Sequence, residues 1–93
     1  MQVKWTTLAQ RDLVRLYEFL LPVNPRAAKK AATLLVREAK HLHTHPLLGA
    51  PLDAYAPRDV RHLIIGDYEL RYEVTEDVIY ILRLWHTRED RAL

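Results

Sequence analysis

The first half of the chain carries one strand-like and one helix-like alternation of apolar and polar residues. Residues 2–5 alternate strictly, which predicts a short opening strand. A helix is predicted from Thr7, because its hydroxyl and the Gln10 side chain match a capping box, to about residue 21. Its apolar stripe has helical spacing and consists of Leu13, Leu16, Tyr17 and Leu20. Pro22 then ends the helix.

A second helix is predicted to begin at Asn24 and Pro25 and to end at about residue 43. Asparagine is a favoured N-cap, and proline suits the first helical position because that backbone N–H has no partner in any case. The apolar stripe is rich in small residues and consists of Ala28, Ala31, Leu35, Ala39 and Leu42. Since few residues separate the two helices, we expect an antiparallel hairpin.

The period of the apolar residues changes to two in the last third of the chain. Residues 60–65, 68–74 and 78–85 predict three strands, and the dipeptides Gly66-Asp67 and Glu76-Asp77 predict tight turns between them. The segment before them is expected to be an irregular crossing loop, because it contains Pro46, Gly49, Pro51 and Pro57. The predicted fold class is α+β: a short N-terminal strand, an antiparallel helix hairpin and a three-stranded antiparallel meander (β-α-α-β-β-β).

Composition narrows the class of protein. The 93 residues suffice for one domain, 1–93, and 49% hydrophobic residues indicate a packed core. The absence of cysteine excludes disulfides and thiolate metal sites. The first residues contain no apolar run typical of an export signal, and no later run approaches a membrane span. We therefore expect a cytoplasmic protein without a membrane partner.

The distribution of basic residues indicates that the functional site lies in the C-terminal third of the chain. The net charge of +2 is too small to indicate a dedicated nucleic-acid-binding protein. The basic side chains are nevertheless concentrated at Arg58, Arg61, Arg71, Arg83, Arg88 and Arg91, with His62 and His86 among them. Arg83 is a candidate either for binding a target or for a cross-strand ion pair with Glu69 or Glu73.

Three histidines end the second predicted helix, at positions 41, 43 and 45. His41 and His45 have the i, i+4 spacing of a metal-binding pair. No carboxylate or cysteine completes a ligand set, Pro46 ends the helix beside them, and histidines at a helix C-terminus are favoured by the helix dipole. We therefore expect neither a metal nor a cofactor.

The order of these elements and several phrases resemble the ParE/RelE toxin superfamily over nearly the whole chain. The phrases are Ala9-Gln10-Arg11-Asp12-Leu13, Asn24-Pro25-Arg26-Ala27-Ala28, Leu42 with Pro46 to Gly49, Arg61-His62-Leu63, Gly66-Asp67-Tyr68-Glu69-Leu70-Arg71-Tyr72 and Ile79-Tyr80-Ile81-Leu82-Arg83-Leu84-Trp85-His86-Thr87-Arg88. The resemblance implies the toxin of a bacterial type II toxin–antitoxin system, of the plasmid stabilisation type.

The resemblance also implies a partner. The C-terminal segment of a cognate antitoxin would wrap the toxin to form a hetero-oligomer, and an amphipathic helix of that segment would bind exposed apolar side chains. The candidates for this antitoxin site are Leu16, Phe19, Leu20 and Leu34.

The superfamily offers two targets. RelE-like members cut messenger RNA on the ribosome, whereas ParE-like members inhibit DNA gyrase. A metal-free nuclease needs clustered cations and a group that transfers protons. The candidates for that role are Arg61, Arg71, His86 and Arg88, with Arg61 expected on the catalytic face and His62 on the opposite one.

Two features favour the ParE-like branch. Glu69 stands where RelE-like nucleases typically carry a basic residue, although some members use a carboxylate as a base, and no tyrosine lies near the C-terminus. We therefore expect a gyrase inhibitor that performs no catalysis. Its candidate target-binding residues are Arg58, Arg61, Arg71, Arg83 and Arg88. A ribosome-dependent endoribonuclease and a non-toxic interaction module stay as alternatives.

Overall fold

A computed structural model describes residues 1–89, so Arg91 of the basic C-terminal third lies outside the described residues. Two helices and five strands follow one another in the described part, with one short 3₁₀ turn. They are β1 (Gln2–Trp5), α1 (Thr7–Leu20), α2 (Pro25–His41), β2 (Ala50–Pro51), the 3₁₀ turn (Asp53–Tyr55), β3 (Asp59–Ile65), β4 (Tyr68–Val74) and β5 (Val78–His86). The α+β class and the strand, helix hairpin, meander order are confirmed.

The first helix begins at Thr7, as predicted, but its N-cap lies one residue earlier than the capping-box pattern predicts. Thr6, not Thr7, is the N-cap: its hydroxyl accepts a hydrogen bond from the backbone N–H of Ala9 at 3.1 Å. The same hydroxyl donates to the carbonyl of Leu82, and the Thr6 N–H donates to the carbonyl of Ile81. These bonds to β5 fix the residue at which β1 ends and the helix starts, and no local pattern contains that information.

The start of the second helix is confirmed. The Asn24 side chain accepts from the N–H of Ala27 at 3.1 Å, and Pro25 occupies the first helical turn. The alanine-rich stripe faces the core: Ala28, Leu35, Ala39 and Leu42 are fully buried, with Ala31 half-buried. Through this face, α2 packs against α1 and the sheet.

The sheet has the order β1-β5-β4-β3-β2, with β1 parallel to β5 and the other neighbours antiparallel. The predicted meander is β3, β4 and β5, and it gains one strand at each edge. The expectation that the crossing segment is wholly irregular was wrong at β2, where Ala50 and Pro51 pair with β3. Gly66 closes the turn between β3 and β4 at a φ of 58°, a conformation that glycine adopts without strain.

A register shift in the pairing of β4 with β5 decides which β5 side chains face the helices. Arg71 pairs with Arg83 but Tyr72 pairs with Ile81, so Leu82 is an extra residue in β5. Ile81 and Leu84 therefore both lie in the core between sheet and helices. The other side of the sheet, called the outer face here, carries Arg83 and Trp85.

The crossing segment is held against the sheet by one buried tyrosine. The Tyr72 hydroxyl donates to the carbonyl of Pro46 at 2.9 Å and accepts from the N–H of Gly49 at 2.7 Å. Position 49 tolerates only glycine without rearrangement, because a Cβ there would lie 2.6 Å from the carbonyl oxygen of His62. Neither helix of residues 1–89 has the length and apolar content of a membrane span.

Candidate functional site

An open groove of about 730 Å³ lies between α1, the first turn of α2, the β3–β4 turn and the end of β5. The apolar part of its lining is Leu16, Phe19, Leu20, Ala27 and Tyr68. The charged and polar part is Arg15, Asp67, His86, Arg88 and Glu89. The groove thus combines a mainly apolar lining with a charged rim, which is the usual composition of a site for a protein segment.

The groove contains three of the four apolar residues predicted to bind an antitoxin, although not all as exposed side chains. Phe19 is 78% exposed, Leu20 is half-buried, and Leu16 is only 6% exposed because it packs into the core. Leu34 packs against the core and does not line the groove. The expectation that Leu16 and Leu34 are exposed was therefore wrong, because both lie on the buried sides of their helices.

Arg15 forms the charged rim on the α1 side of the groove. Its Nη2 atom donates to Asp12 at 3.2 Å and to the carbonyl of Leu84 at 3.1 Å, while Nη1 contacts the Glu89 carboxylate. Glu89 also accepts from the backbone N–H of His86 at 2.8 Å. Burial raises the pKa of the Glu89 carboxyl, but the hydrogen bonds from Arg15 and His86 outweigh burial and leave the pKa below its ordinary value.

His86 and Tyr68 form the opposite wall. Their rings meet edge to face with centroids 5.5 Å apart, and His86 Nδ1 accepts from the backbone N–H of Arg88 at 3.2 Å. Burial raises the pKa of the Tyr68 hydroxyl above its ordinary value. His86 and Arg88, both candidates for catalysis, are thus side by side in the groove.

A buried carboxylate, Asp12, joins the groove to the outer face of the sheet. Asp12 is 4% exposed and accepts from the N–H of Leu84 at 2.9 Å, from Arg83 Nε at 2.8 Å and from Arg15. The Asp12 side chain continues the edge of β5 beyond the last residue that pairs with β1, Ile81. Burial raises the pKa of the Asp12 carboxyl, but the bonds from Arg83, Leu84 and Arg15 outweigh it, so the pKa is lowered.

The sequence contained a signal for Asp12 that the prediction missed. Ala9, Asp12 and Leu16 stand at i, i+3 and i+7 on α1, and all three are buried. A carboxylate inside an apolar stripe needs charged or N–H partners. The predicted pairing of Arg83 with Glu69 or Glu73 was wrong, because the side chain reaches around the edge of β5 to Asp12 instead.

On the outer face, arginine and aromatic side chains alternate in a stack. The Arg71 guanidinium lies 4.7 Å from the centre of the Trp85 ring and 5.7 Å from that of Tyr55, and Arg83 covers Trp85 at 5.0 Å. Arg71 also contacts Glu69 at 3.4 Å and donates to the Tyr55 hydroxyl. Trp85 is 3% exposed as a result. Arg71 and Arg83 therefore serve packing on this face.

Two further predicted cations lie at the far end of the sheet. Arg58 forms a two-bond ion pair with Glu73 at 3.0 and 2.7 Å, which raises the pKa of Arg58 and lowers that of Glu73. Arg61 binds Asp59 at 2.9 Å and the carbonyl of Gly49 at 2.9 Å.

The structure does not bring the four predicted nuclease residues together. Arg61 pairs with Tyr72 and shares its helix-facing side of the sheet, whereas Arg71 lies on the outer face. Arg61 and His62 lie on opposite faces, as predicted, but His62 and not Arg61 shares the face of Arg71: His62 pairs with Arg71, and its Nδ1 lies 3.9 Å from Glu69. His86 pairs with Tyr68, four residues along β4 from the partner of Arg61, or roughly 13 Å.

Comparisons with known proteins agree with this architecture. The chain is 33% identical over 87 residues to the toxin RelE3 of Caulobacter vibrioides, covering 89% of this chain and 90% of the relative. A solved structure of the chromosomal ParDE toxin–antitoxin system from P. aeruginosa is 30% identical with a TM-score of 0.76, covering 90% of this chain and 92% of that one. The toxin–antitoxin complex RelBE2 from Mycobacterium tuberculosis is 30% identical with a TM-score of 0.65, covering 91% and 95%.

These similarities define the class of the protein as a toxin of type II toxin–antitoxin systems, within the ParE/RelE superfamily. The model of the family described as "ParE toxin of type II toxin-antitoxin system, parDE" matches residues 3–91, and the chain belongs to that family. The resemblance inferred from the sequence is confirmed at this level.

Proposed function

We propose that this toxin inhibits DNA gyrase by binding, without covalent chemistry, and that a cognate antitoxin neutralises it by occupying the groove. The observation that carries the proposal is the separation of the four candidate nuclease residues. A metal-free ribonuclease must place its cations and its proton-transferring group around one phosphate. Arg71 is on the outer face, Arg61 is on the helix-facing side, and His86 is roughly 13 Å further along the sheet.

The contacts of the arginines support the same conclusion. The side chains of Arg61, Arg71 and Arg83 are 17%, 11% and 31% exposed, and each has a carboxylate partner. A guanidinium that is stacked and paired in this way is poorly placed to stabilise a phosphorane-like transition state. Of the five candidate target-binding residues, Arg58 and Arg88 are the exposed ones, at opposite ends of the sheet. We assign the electrostatic attraction of an acidic target to these two because attraction over a distance depends on exposed charge, with the ion pair to Glu73 offsetting part of the charge of Arg58.

The antitoxin part of the proposal is supported by the groove and by the solved neighbours, which are toxin–antitoxin systems. Phe19 offers an exposed aromatic anchor beside the half-buried Leu20. Aromatic side chains at the centre of an apolar groove contribute most of the binding energy in many interfaces. An amphipathic helix with apolar residues one turn apart fits such a groove.

The target is tested by inducing the toxin in bacteria and following which process stops first. We expect double-strand DNA breaks and loss of plasmid supercoiling before any change in transcripts, and rescue of growth when the antitoxin of the adjacent gene is co-induced. Cleavage of messenger RNA on ribosomes as the first event would contradict the proposal in favour of a RelE-like nuclease. Undisturbed growth at high expression would contradict it in favour of a non-toxic interaction module.

A further inference from the structure

Arg15 is a cation that the fold holds in place at the rim of the groove. Its Nη2 atom is committed to Asp12 and to the carbonyl of Leu84, and Asp12 is itself buried. The Arg15 side chain is nevertheless 42% exposed, and it lines the groove. Its orientation therefore does not depend on what Nη1 binds. A preorganised charge of this kind costs little entropy when a ligand engages it.

In the isolated chain, the carboxylate on Nη1 is that of Glu89. Glu89 follows the end of β5 in a tight turn, in which its N–H donates to the carbonyl of His86 at 3.0 Å. Its own side chain accepts from the His86 N–H and lines the groove. The side chains of Arg15 and Glu89 are 42% and 31% exposed, so another carboxylate can reach the same guanidinium from the groove.

We propose that Glu89 occupies a carboxylate subsite of the groove, and that the bound antitoxin segment places an Asp or Glu side chain on Arg15 in its stead. This inference rests on the proposed function of the groove as the antitoxin site. The occupant is thus an acidic amphipathic segment, with apolar side chains against Phe19 and Leu20 and a carboxylate at Arg15. Glu89 of the toxin therefore competes with the carboxylate of the antitoxin for Arg15.

The contact between Arg15 and Glu89 supports a carboxylate on the occupant, because the structure already places a carboxylate on this guanidinium. The rim carries two arginines, Arg15 and Arg88, against the carboxylates of Asp67 and Glu89. The rim is balanced in charge while Glu89 is bound to Arg15, and a carboxylate of the incoming segment restores that balance when Glu89 is displaced. The lowered pKa of Glu89 shows that this position favours a negative charge.

The inference predicts that Glu89→Gln binds antitoxin more tightly than the unaltered toxin. An amide competes less well for Arg15, and a partly exposed ion pair of this kind corresponds to about a two- to fivefold change in Kd. The probe is the purified antitoxin encoded by the adjacent gene, with its dissociation from immobilised full-length toxin followed by biolayer interferometry. The control is Glu76→Gln, which removes the same charge at an exposed position in the turn between β4 and β5.

A double variant separates the competition for Arg15 from a general effect of net charge. When Arg15→Gln is already present, adding Glu89→Gln is expected to leave the affinity for the antitoxin unchanged, because the guanidinium for which the two carboxylates compete is absent. Glu89→Asp keeps the charge on a shorter side chain, so its affinity for the antitoxin is expected to lie between those of Glu89→Gln and the unaltered toxin. This variant replaces the double variant in the test if Arg15→Gln fails to fold.

Each outcome of the experiment is decisive. Tighter binding by Glu89→Gln but not by Glu76→Gln supports the competition. Unchanged or weaker binding by Glu89→Gln overturns it, while the antitoxin function of the groove stands. Failure of the unaltered toxin to bind the antitoxin at all overturns the proposed neutralisation and this inference with it.

Discussion

Replacing Asp12 with alanine is expected to lower the free energy of unfolding by about 2–3 kcal/mol, because a buried backbone N–H and two partly exposed guanidinium groups lose a charged acceptor. Asp12 receives hydrogen bonds from Arg83, Arg15 and the N–H of Leu84, and it joins α1 to the edge of β5. Its loss leaves two guanidinium groups and a backbone N–H without their buried acceptor. Urea unfolding followed by tryptophan fluorescence measures the effect.

The matched control is Asp77→Ala, at an exposed position in the turn between β4 and β5. We expect a change within about 0.5 kcal/mol there. Asp12→Asn keeps the shape of the side chain and loses its charge, so its loss of stability is expected to lie between those of Asp77→Ala and Asp12→Ala. Equal stability of the Asp12 and Asp77 variants would contradict the structural role given to Asp12.

Asp12 also predicts how stability depends on pH. The pKa of its carboxyl in the folded chain is lower than its ordinary value of 3.8. Its contribution to stability is therefore fully present above pH 3.8 and is lost as the pH falls through the lower folded pKa. The difference in stability between the unaltered chain and Asp12→Asn should narrow over that acid range. A constant difference would contradict the ionic character of the network.

Phe19→Asp is expected to weaken antitoxin binding by about 30- to 1,000-fold, because an exposed aromatic anchor in an apolar groove is worth about 2–4 kcal/mol. Phe19 is 78% exposed, so the folded toxin loses little when the ring is removed. Isothermal titration of toxin with the antitoxin of the adjacent gene measures the change.

Val23→Asp provides the control for this second prediction. Val23 is 85% exposed near the tip of the helix hairpin and does not line the groove. Val23→Asp therefore introduces the same negative charge near the groove but outside it. We expect its affinity to stay within a few-fold of the unaltered toxin. Equal affinities for the Phe19 and Val23 variants would place the antitoxin elsewhere on the surface.

The comparison of sequence with structure shows which features are encoded locally. Asn24 and Pro25 specify the start of α2 because an N-cap and a proline act within one turn, and the structure confirms both. The turn at Gly66 and the strand Tyr68–Val74 were likewise predicted from local patterns.

The features that escaped prediction depend on distant partners. Thr6 rather than Thr7 caps α1 because bonds to β5, 75 or more positions away, determine where β1 ends. The register shift at Leu82 exchanges the faces of the β5 side chains, and no local pattern marks it. The face on which each side chain lies determines which basic residues are close together. The candidate nuclease residues are therefore dispersed in the structure, although they are near one another in the sequence.

A supercoiling assay with purified toxin and gyrase tests most directly whether the toxin acts on gyrase through binding. We expect inhibition that Arg58→Gln/Arg88→Gln weakens about tenfold, since steering charges change association rates by such factors. The control Arg26→Gln/Arg37→Gln removes the same charge from exposed positions of α2 and should inhibit like the unaltered toxin. Undisturbed supercoiling at saturating toxin, together with cleavage of messenger RNA in a ribosome assay, would contradict the account.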